Sequence, residues 1–137
     1  MDQYANFLIK EYTHWDLYLH ENQGYLGRCY LWSKRREAAS VTDATPEEWT
    51  EVLTLFRAIE SGLKRAFNTD KFNYSFLGNE TPHMHCHVIP RYDRVVMFGG
   101  IAFSDPLWGK NYQTDPNFKI PPYTLDMILA KMREVMG

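Results

Sequence analysis

The chain is poor in cysteine, with only Cys29 and Cys86 among 137 residues. Two thiols make no disulfide framework and no CxxC pair, so they read as free thiols in a reducing cytoplasm. Long apolar runs are lacking as well. No stretch approaches the ~18–20 consecutive apolar residues of a membrane span, and the opening MDQYANFLIKEY lacks the basic-then-apolar order of a secretory leader. Neither charge is in surplus: a formal net charge of −2 leaves no electrostatic footprint for a long nucleic acid. There is no internal repeat, low-complexity tract or linker. The 137 residues are therefore expected to form a single domain, 1–137, large enough to bury a core.

What the chain does have is a concentration of imidazoles. Three of its five histidines alternate through one short apolar run, His83-Met84-His85-Cys86-His87-Val88-Ile89. In an extended strand His83, His85 and His87 share one face, while Met84, Cys86 and Val88 share the other. Same-face neighbours lie roughly 6.5–7 Å apart, so a substrate group can meet one ring while the next supports it. All three titrate near neutrality when unperturbed. Two other readings remain open on spacing alone. One is a solvated strand face; the other is a zinc site, since neutral imidazole is a common zinc ligand. Zinc sites usually recruit a further ligand or an orienting carboxylate, and none follows closely on this strand. Cys86 alternates out of the histidine row, which fits packing rather than ligation.

Around this run the pattern predicts an α+β fold, with about five antiparallel strands, a long helix across one side and a C-terminal helix. Strands are expected at 7–9, 15–20, 29–32, 72–77 and 83–92, with a turn at 22–24. The long helix should begin at Pro46, where Thr45 can cap and Glu48 can complete a capping box. Its stripe of Trp49, Val52, Leu53, Phe56, Ile59, Leu63 and Phe67 should face the core, and 68–70 should end it. Lys34-Arg35-Arg36 reads as a solvated loop near the histidines. Residues 95–120 hold Gly99-Gly100, Asp105-Pro106, Trp108-Gly109 and Asp115-Pro116, so a loop-rich extension is expected. A last helix should follow Pro121-Pro122, capped by Thr124, with Leu125, Ile128, Leu129, Met132 and Met136 as its apolar face.

The run HMHCHVIPR, residues 83–91, resembles the signature of the histidine triad (HIT) superfamily, in which three histidines alternate with apolar residues. It is closest to the hydrolase branch that includes diadenosine polyphosphate hydrolases. The resemblance implies the HIT-like fold and hydrolysis of a nucleotide phosphoanhydride or phosphoramidate, in a dinucleoside polyphosphate or AMP conjugate. His85 would attack the α-phosphorus and become transiently nucleotidylated, flanked by His83 and His87, with no metal and no cofactor. Asn79 and Thr81 would reach phosphate oxygens, since Glu80 stands where the family often has Ser or Thr. Arg28 replaces a family histidine and would hold phosphate charge rather than relay a proton. His20 falls where relatives contact the ribose. Trp15, Trp32, Trp108 and Tyr112 could line a groove for the base, and the basic loop could attract a polyphosphate tail. The resemblance also implies a homodimer, with the tail after Arg94 covering its own pocket or reaching the second subunit. Nucleotidyl transfer to phosphate or a sugar phosphate, a nucleotide sensor with little turnover, and a zinc-dependent hydrolase are the competing functions.

Overall fold

The structure, a computed structural model, describes residues 6–137. Residues 1–5, part of the stretch read for a leader, lie outside it. Five strands form one antiparallel sheet: β1 (Leu8–Glu11), β2 (Trp15–Leu19), β3 (Cys29–Ser33), β4 (Lys71–Ser75) and β5 (His85–Arg91), in the order β1-β2-β3-β5-β4. The α+β architecture matches the expectation. Alternation divides the two faces. Leu17, Leu19, Cys29, Leu31, Cys86 and Val88 enter one core with Val52, Leu55, Ile59, Leu63 and Phe67 of α1 (Pro46–Phe67). Both cysteines are therefore buried free thiols on the helix side.

Helix α1 starts where its sequence predicts. Thr45 Oγ1 accepts from the Glu48 amide at 3.1 Å, and Glu48 Oε1 accepts from the Thr45 amide at 2.8 Å. A reciprocal cap of this kind is worth about 1 kcal/mol. Asn68 ends the helix in the left-handed region at φ 55°, its amide donating to Lys64 O. The apolar stripe is displaced from the expected one. Leu55 is buried, whereas Trp49 and Leu53 are 49% and 54% exposed. Nor is the basic loop free. Arg35 pairs with Glu48 at 3.0 Å and donates to Asp43 O at 2.6 Å, and Lys34 lies 3.5 Å from both Glu11 and Asp16. These side chains fasten the entry of α1 and brace β1 to β2, and neither lines the cleft described below.

The C-terminal segment is more regular than its turn residues suggested. Val96–Phe98 (β6) and Ile101–Phe103 (β7) make a hairpin whose turn, Gly99-Gly100, has φ of 57° and 80°. Two consecutive left-handed residues suit glycine and a two-residue hairpin loop. Helix α2 (Pro122–Met136) begins without a side-chain cap. Thr124 is already inside it, buried, and donates to Gly99 O at 3.2 Å instead. Ile128, Leu129, Met132 and Met136 of α2 complete the common core. Among the described residues, no helix is long and apolar enough to cross a membrane.

Candidate active site

The register of the sheet assembles the site on the face away from α1. Trp32 pairs with His85, while Tyr30 is opposite Tyr18 on one side and His87 on the other, with Ser75 beyond His87. The β2–β3 ladder extends by one bond, from the His20 amide to Arg28 O at 3.0 Å, which sets His20 beside Arg28. Arg28 follows Gly27, whose φ of 88° and position 2.5 Å (for an added Cβ) from Leu63 Cδ2 leave no room for a side chain. The chain can thus turn tightly over α1 and deliver Arg28 to the open face. His20, Arg28, Tyr30, Trp32, His85 and His87 floor a cleft of about 900 Å³. One wall is the exposed loop from Leu77 to Thr81, and the other is Tyr112, Thr114 and Pro116 from the C-terminal segment.

His85 is buried at the floor, and its Nδ1 lies 2.6 Å from His83 O. A carbonyl can only accept, so Nδ1 carries a proton, and in the neutral tautomer that this selects Nε2 keeps its lone pair. His83 departs from the expected row. The chain bends before β5, with the His83 amide donating to Thr81 O at 2.8 Å and the Met84 amide to Ala38 O at 2.9 Å. The strand accordingly starts at His85 rather than His83. The His83 ring donates through Nε2 to Ser33 O at 2.6 Å, stacks on Trp32 at 4.0 Å and does not line the cleft. What it offers His85 is its backbone carbonyl.

His87 lies 5.0 Å from His85, centroid to centroid, and 6.0 Å from His20. Burial pushes His87 down to about 4, aided by the charge of Arg28 and the neighbouring His85. Burial likewise pushes His20 down to about 3, followed by Arg28 and His87. Both rings are neutral at physiological pH, and His87 Nδ1 is buried without a hydrogen-bond partner. Arg28 is 5% exposed; its NH1 donates to Thr114 Oγ1 at 2.7 Å, and its guanidinium lies 5.7 Å from the Tyr112 ring centroid.

The wall that carries Thr114 is fixed from below by Arg91. This buried arginine pairs with buried Asp105 at 2.6 Å and also donates to Asn73 Oδ1, Leu107 O and Lys110 O. Tyr25 adds a clasp, donating to Gln113 O at 3.2 Å and accepting from the Gln113 amide at 3.0 Å. Tyr112 OH meets Ser75 Oγ at 2.9 Å. The extension therefore closes over the cleft of its own chain.

Of the residues singled out in the sequence, the cleft unites His85, His87, His20, Arg28, Asn79, Glu80, Thr81, Trp32 and Tyr112. Trp15 is fully buried in the core, its Nε1 donating to Glu48 O at 3.0 Å, and Trp108 packs under Lys71 outside the cleft. Tyr30 and Thr114 went unnoticed. Alternation along β3 between Arg28 and Trp32 marks Tyr30, whereas nothing local marks Thr114. Among the described residues, no group of three or more His, Cys, Asp or Glu side chains is placed to hold a metal ion.

Known proteins share this fold. A histidine triad protein from Marinobacter aquaeolei superposes with a TM-score of 0.72 at 22% identity, over 99% of this chain and 93% of that one. A hypothetical histidine triad nucleotide-binding protein from Sulfolobus tokodaii does so with a TM-score of 0.71 at 16% identity, covering 95% of this chain and 83% of the other. A zinc-bound histidine triad family protein from Mycobacterium smegmatis gives 0.67 at 18% identity, with coverages of 95% and 83%. At these identities the likeness establishes the fold alone. No curated protein matches the chain. The HIT domain family model matches residues 18–94, from the second strand to just past the histidine strand. That match spans more than half of the sequence, and the chain belongs to the HIT domain family.

Proposed function

We propose that the chain is a nucleotide hydrolase of the diadenosine polyphosphate hydrolase-like kind, releasing a nucleoside monophosphate through a covalent intermediate on His85. The observation that carries this reading is the 2.6 Å bond from His85 Nδ1 to His83 O, which leaves Nε2 as a free lone pair on the cleft floor. Nε2 forms a bond to the α-phosphorus, and the bond from phosphorus to the bridging oxygen or nitrogen breaks. The leaving group takes that electron pair and a proton from solvent. Water then attacks the same phosphorus, loses a proton to solvent and releases the histidine. His87, adjacent and neutral in the free cleft, hydrogen-bonds the phosphoryl oxygens as their charge grows. Asn79 and Thr81 hold further oxygens from the exposed loop, and Thr81 rather than the Glu80 carboxylate takes the contact beside Asn79, since a carboxylate would repel phosphate. Arg28 and His20 bind the far part of the substrate, and Trp32, Tyr30 and Tyr112 supply apolar surface for a base. For phosphoryl chemistry, placement and charge stabilisation provide most of the acceleration, and the scheme needs neither metal nor cofactor.

The same reading includes a homodimer of a cytoplasmic protein. Edge strand β4 lies beside the uncovered side of α1, where Trp49, Leu53 and Leu77 are exposed and Trp49 packs 5.8 Å from Phe76. An apolar face next to an unpaired strand edge suits a second copy of the chain.

The test is intact-protein mass after mixing with a dinucleoside polyphosphate, together with chromatography of the products. A transient gain of one nucleoside monophosphate, with free mononucleotide accumulating, is expected. Dependence of turnover on added phosphate or sugar phosphate assigns nucleotidyl transfer instead, and tight binding without either product assigns a sensor. Activity that disappears on chelation assigns a zinc-dependent hydrolase.

A further inference from the structure

The corner of the cleft around Arg28 is built almost entirely of hydrogen-bond donors. Arg28 carries a permanent positive charge, and its Nε is buried without a partner. His20 Nδ1 accepts from the Asn22 amide at 3.0 Å, so the neutral ring has its remaining proton on Nε2. Thr114 Oγ1 accepts from Arg28 NH1, which leaves its hydroxyl hydrogen to donate. Several acceptors beside these groups are already engaged within the chain. The carbonyl of His20 receives Gln23 Nε2 at 2.7 Å, and that of Arg28 receives both Gln23 Nε2 and the His20 amide. Gln23 Oε1 is taken by the Gly27 amide at 2.7 Å. Tyr112 OH is engaged with Ser75. The one carboxylate nearby, Glu21, stands exposed on the rim.

A sugar diol held here would find donors for its oxygens and few acceptors for its own hydrogens, the carboxylate of Glu21 on the rim being one. A phosphate monoester has the opposite character: three acceptor oxygens and a charge of about −1.5 to −2 at neutral pH. A buried guanidinium with an unused N–H is suited to such an oxyanion. The corner is also a separate place from the reacting centre. His87 intervenes between His85 and His20, and same-face positions on a strand are roughly 6.5–7 Å apart.

Resting on the His85 reading above, we infer that Arg28, His20 and Thr114 form a subsite for a second phosphate of the substrate, so that the chain prefers nucleotides bearing two phosphates over nucleoside 5′-monophosphates. The second group is either the next phosphate of the 5′ chain or a phosphate on the ribose. Arg28 anchors it through charge, His20 and Thr114 fix its oxygens, and none of the three takes part in bond making at His85.

Calorimetric titration of the full chain distinguishes these sources with AMP, ADP, adenosine 2′,5′-bisphosphate and adenosine 3′,5′-bisphosphate, repeated with the four guanosine counterparts. At least one two-phosphate ligand should bind about tenfold or more tightly than the matching monophosphate, and the winner identifies the position of the second group. In a folded Arg28→Met protein the advantage of two phosphates over one should collapse to about twofold or less; Arg28→Lys should restore part of it. Equal affinity for one and two phosphates in the wild-type chain overturns the inference without needing any variant to fold. So does an advantage that survives in a folded Arg28→Met protein. If monophosphates bind and the His85 adduct forms while no advantage is seen, the subsite alone is wrong. If no nucleotide binds and no adduct forms, both readings fall.

Discussion

The two ends of the cleft are made differently. At the His85 end, the acceptor that sets the tautomer of the reactive ring is a backbone carbonyl two residues away, that of His83, and the bend from Thr81 to Met84, tied to Ala38 O and Ser33 O, aims it. At the Arg28 end, the guanidinium is held by a residue 86 positions away, on a segment anchored by Arg91. The first end depends on local backbone geometry and the second on tertiary closure, so they should fail separately.

The largest separation should come from His85→Asn. Turnover is expected to fall on the order of 10⁴-fold or more, because the nucleophile is lost. Nucleotide affinity should stay within a few-fold, since the Arg28 end is untouched. Single-turnover kinetics beside a titration reads both, and parallel loss of binding would unite the two ends.

Next is Arg91→Met, which leaves the Asp105 carboxylate buried and unpaired and should cost about 3–5 kcal/mol in urea unfolding. Adding Asp105→Leu should recover most of that loss. In the single variant, hydrogen exchange should rise across 105–116 while the His85 adduct still forms, if the protein is assayed where it remains folded.

A smaller effect is expected for Thr114→Val, which removes the acceptor of one charged hydrogen bond on an exposed segment, about 1 kcal/mol. Affinity for nucleotide should fall several-fold with the rate of adduct formation unchanged. An altered rate with unaltered affinity would put Thr114 in the chemistry.

The last effect is in acid. The unfolded chain takes up protons on ordinary imidazoles below about pH 6.5, while folded His87 and His20 resist until about 4 and 3. Their contribution is therefore fully present above about pH 6.5 and is lost as pH falls toward those values. His20→Gln should flatten the decline of melting temperature between pH 6.5 and 4. An unchanged slope would show that His20 is not held neutral by its surroundings.

How much of this could be read beforehand follows the same division. The central strands and α1 were legible because alternation and a capping box are local signals, as Thr45 and Glu48 demonstrate. The position of His83 was not, because period-two spacing predicts a strand and says nothing of the bend that diverts the Met84 amide to Ala38. Trp49 and Leu53 sit at helical spacing yet remain exposed, since periodicity distinguishes an apolar residue from a polar one but not a core face from an uncovered one. Arg35 looked solvated because its partner Glu48 is 13 residues on, across a loop. The β6–β7 hairpin did carry a signal, two glycines between apolar triplets, obscured by the other turn residues of the extension. Thr114 had none.

Arg91 gives the molecule a fixed and an unfixed side. Moving the wall of Tyr112 and Thr114 would strip several hydrogen bonds from a buried charge and open its pair with Asp105. The opposite rim at 77–81 is exposed, has Gly78 in the left-handed region at φ 67° and is joined by one local backbone hydrogen bond, from the His83 amide to Thr81 O. Cargo should therefore arrive and depart past that rim, and substitutions there should alter residence time before they alter anything the histidines do.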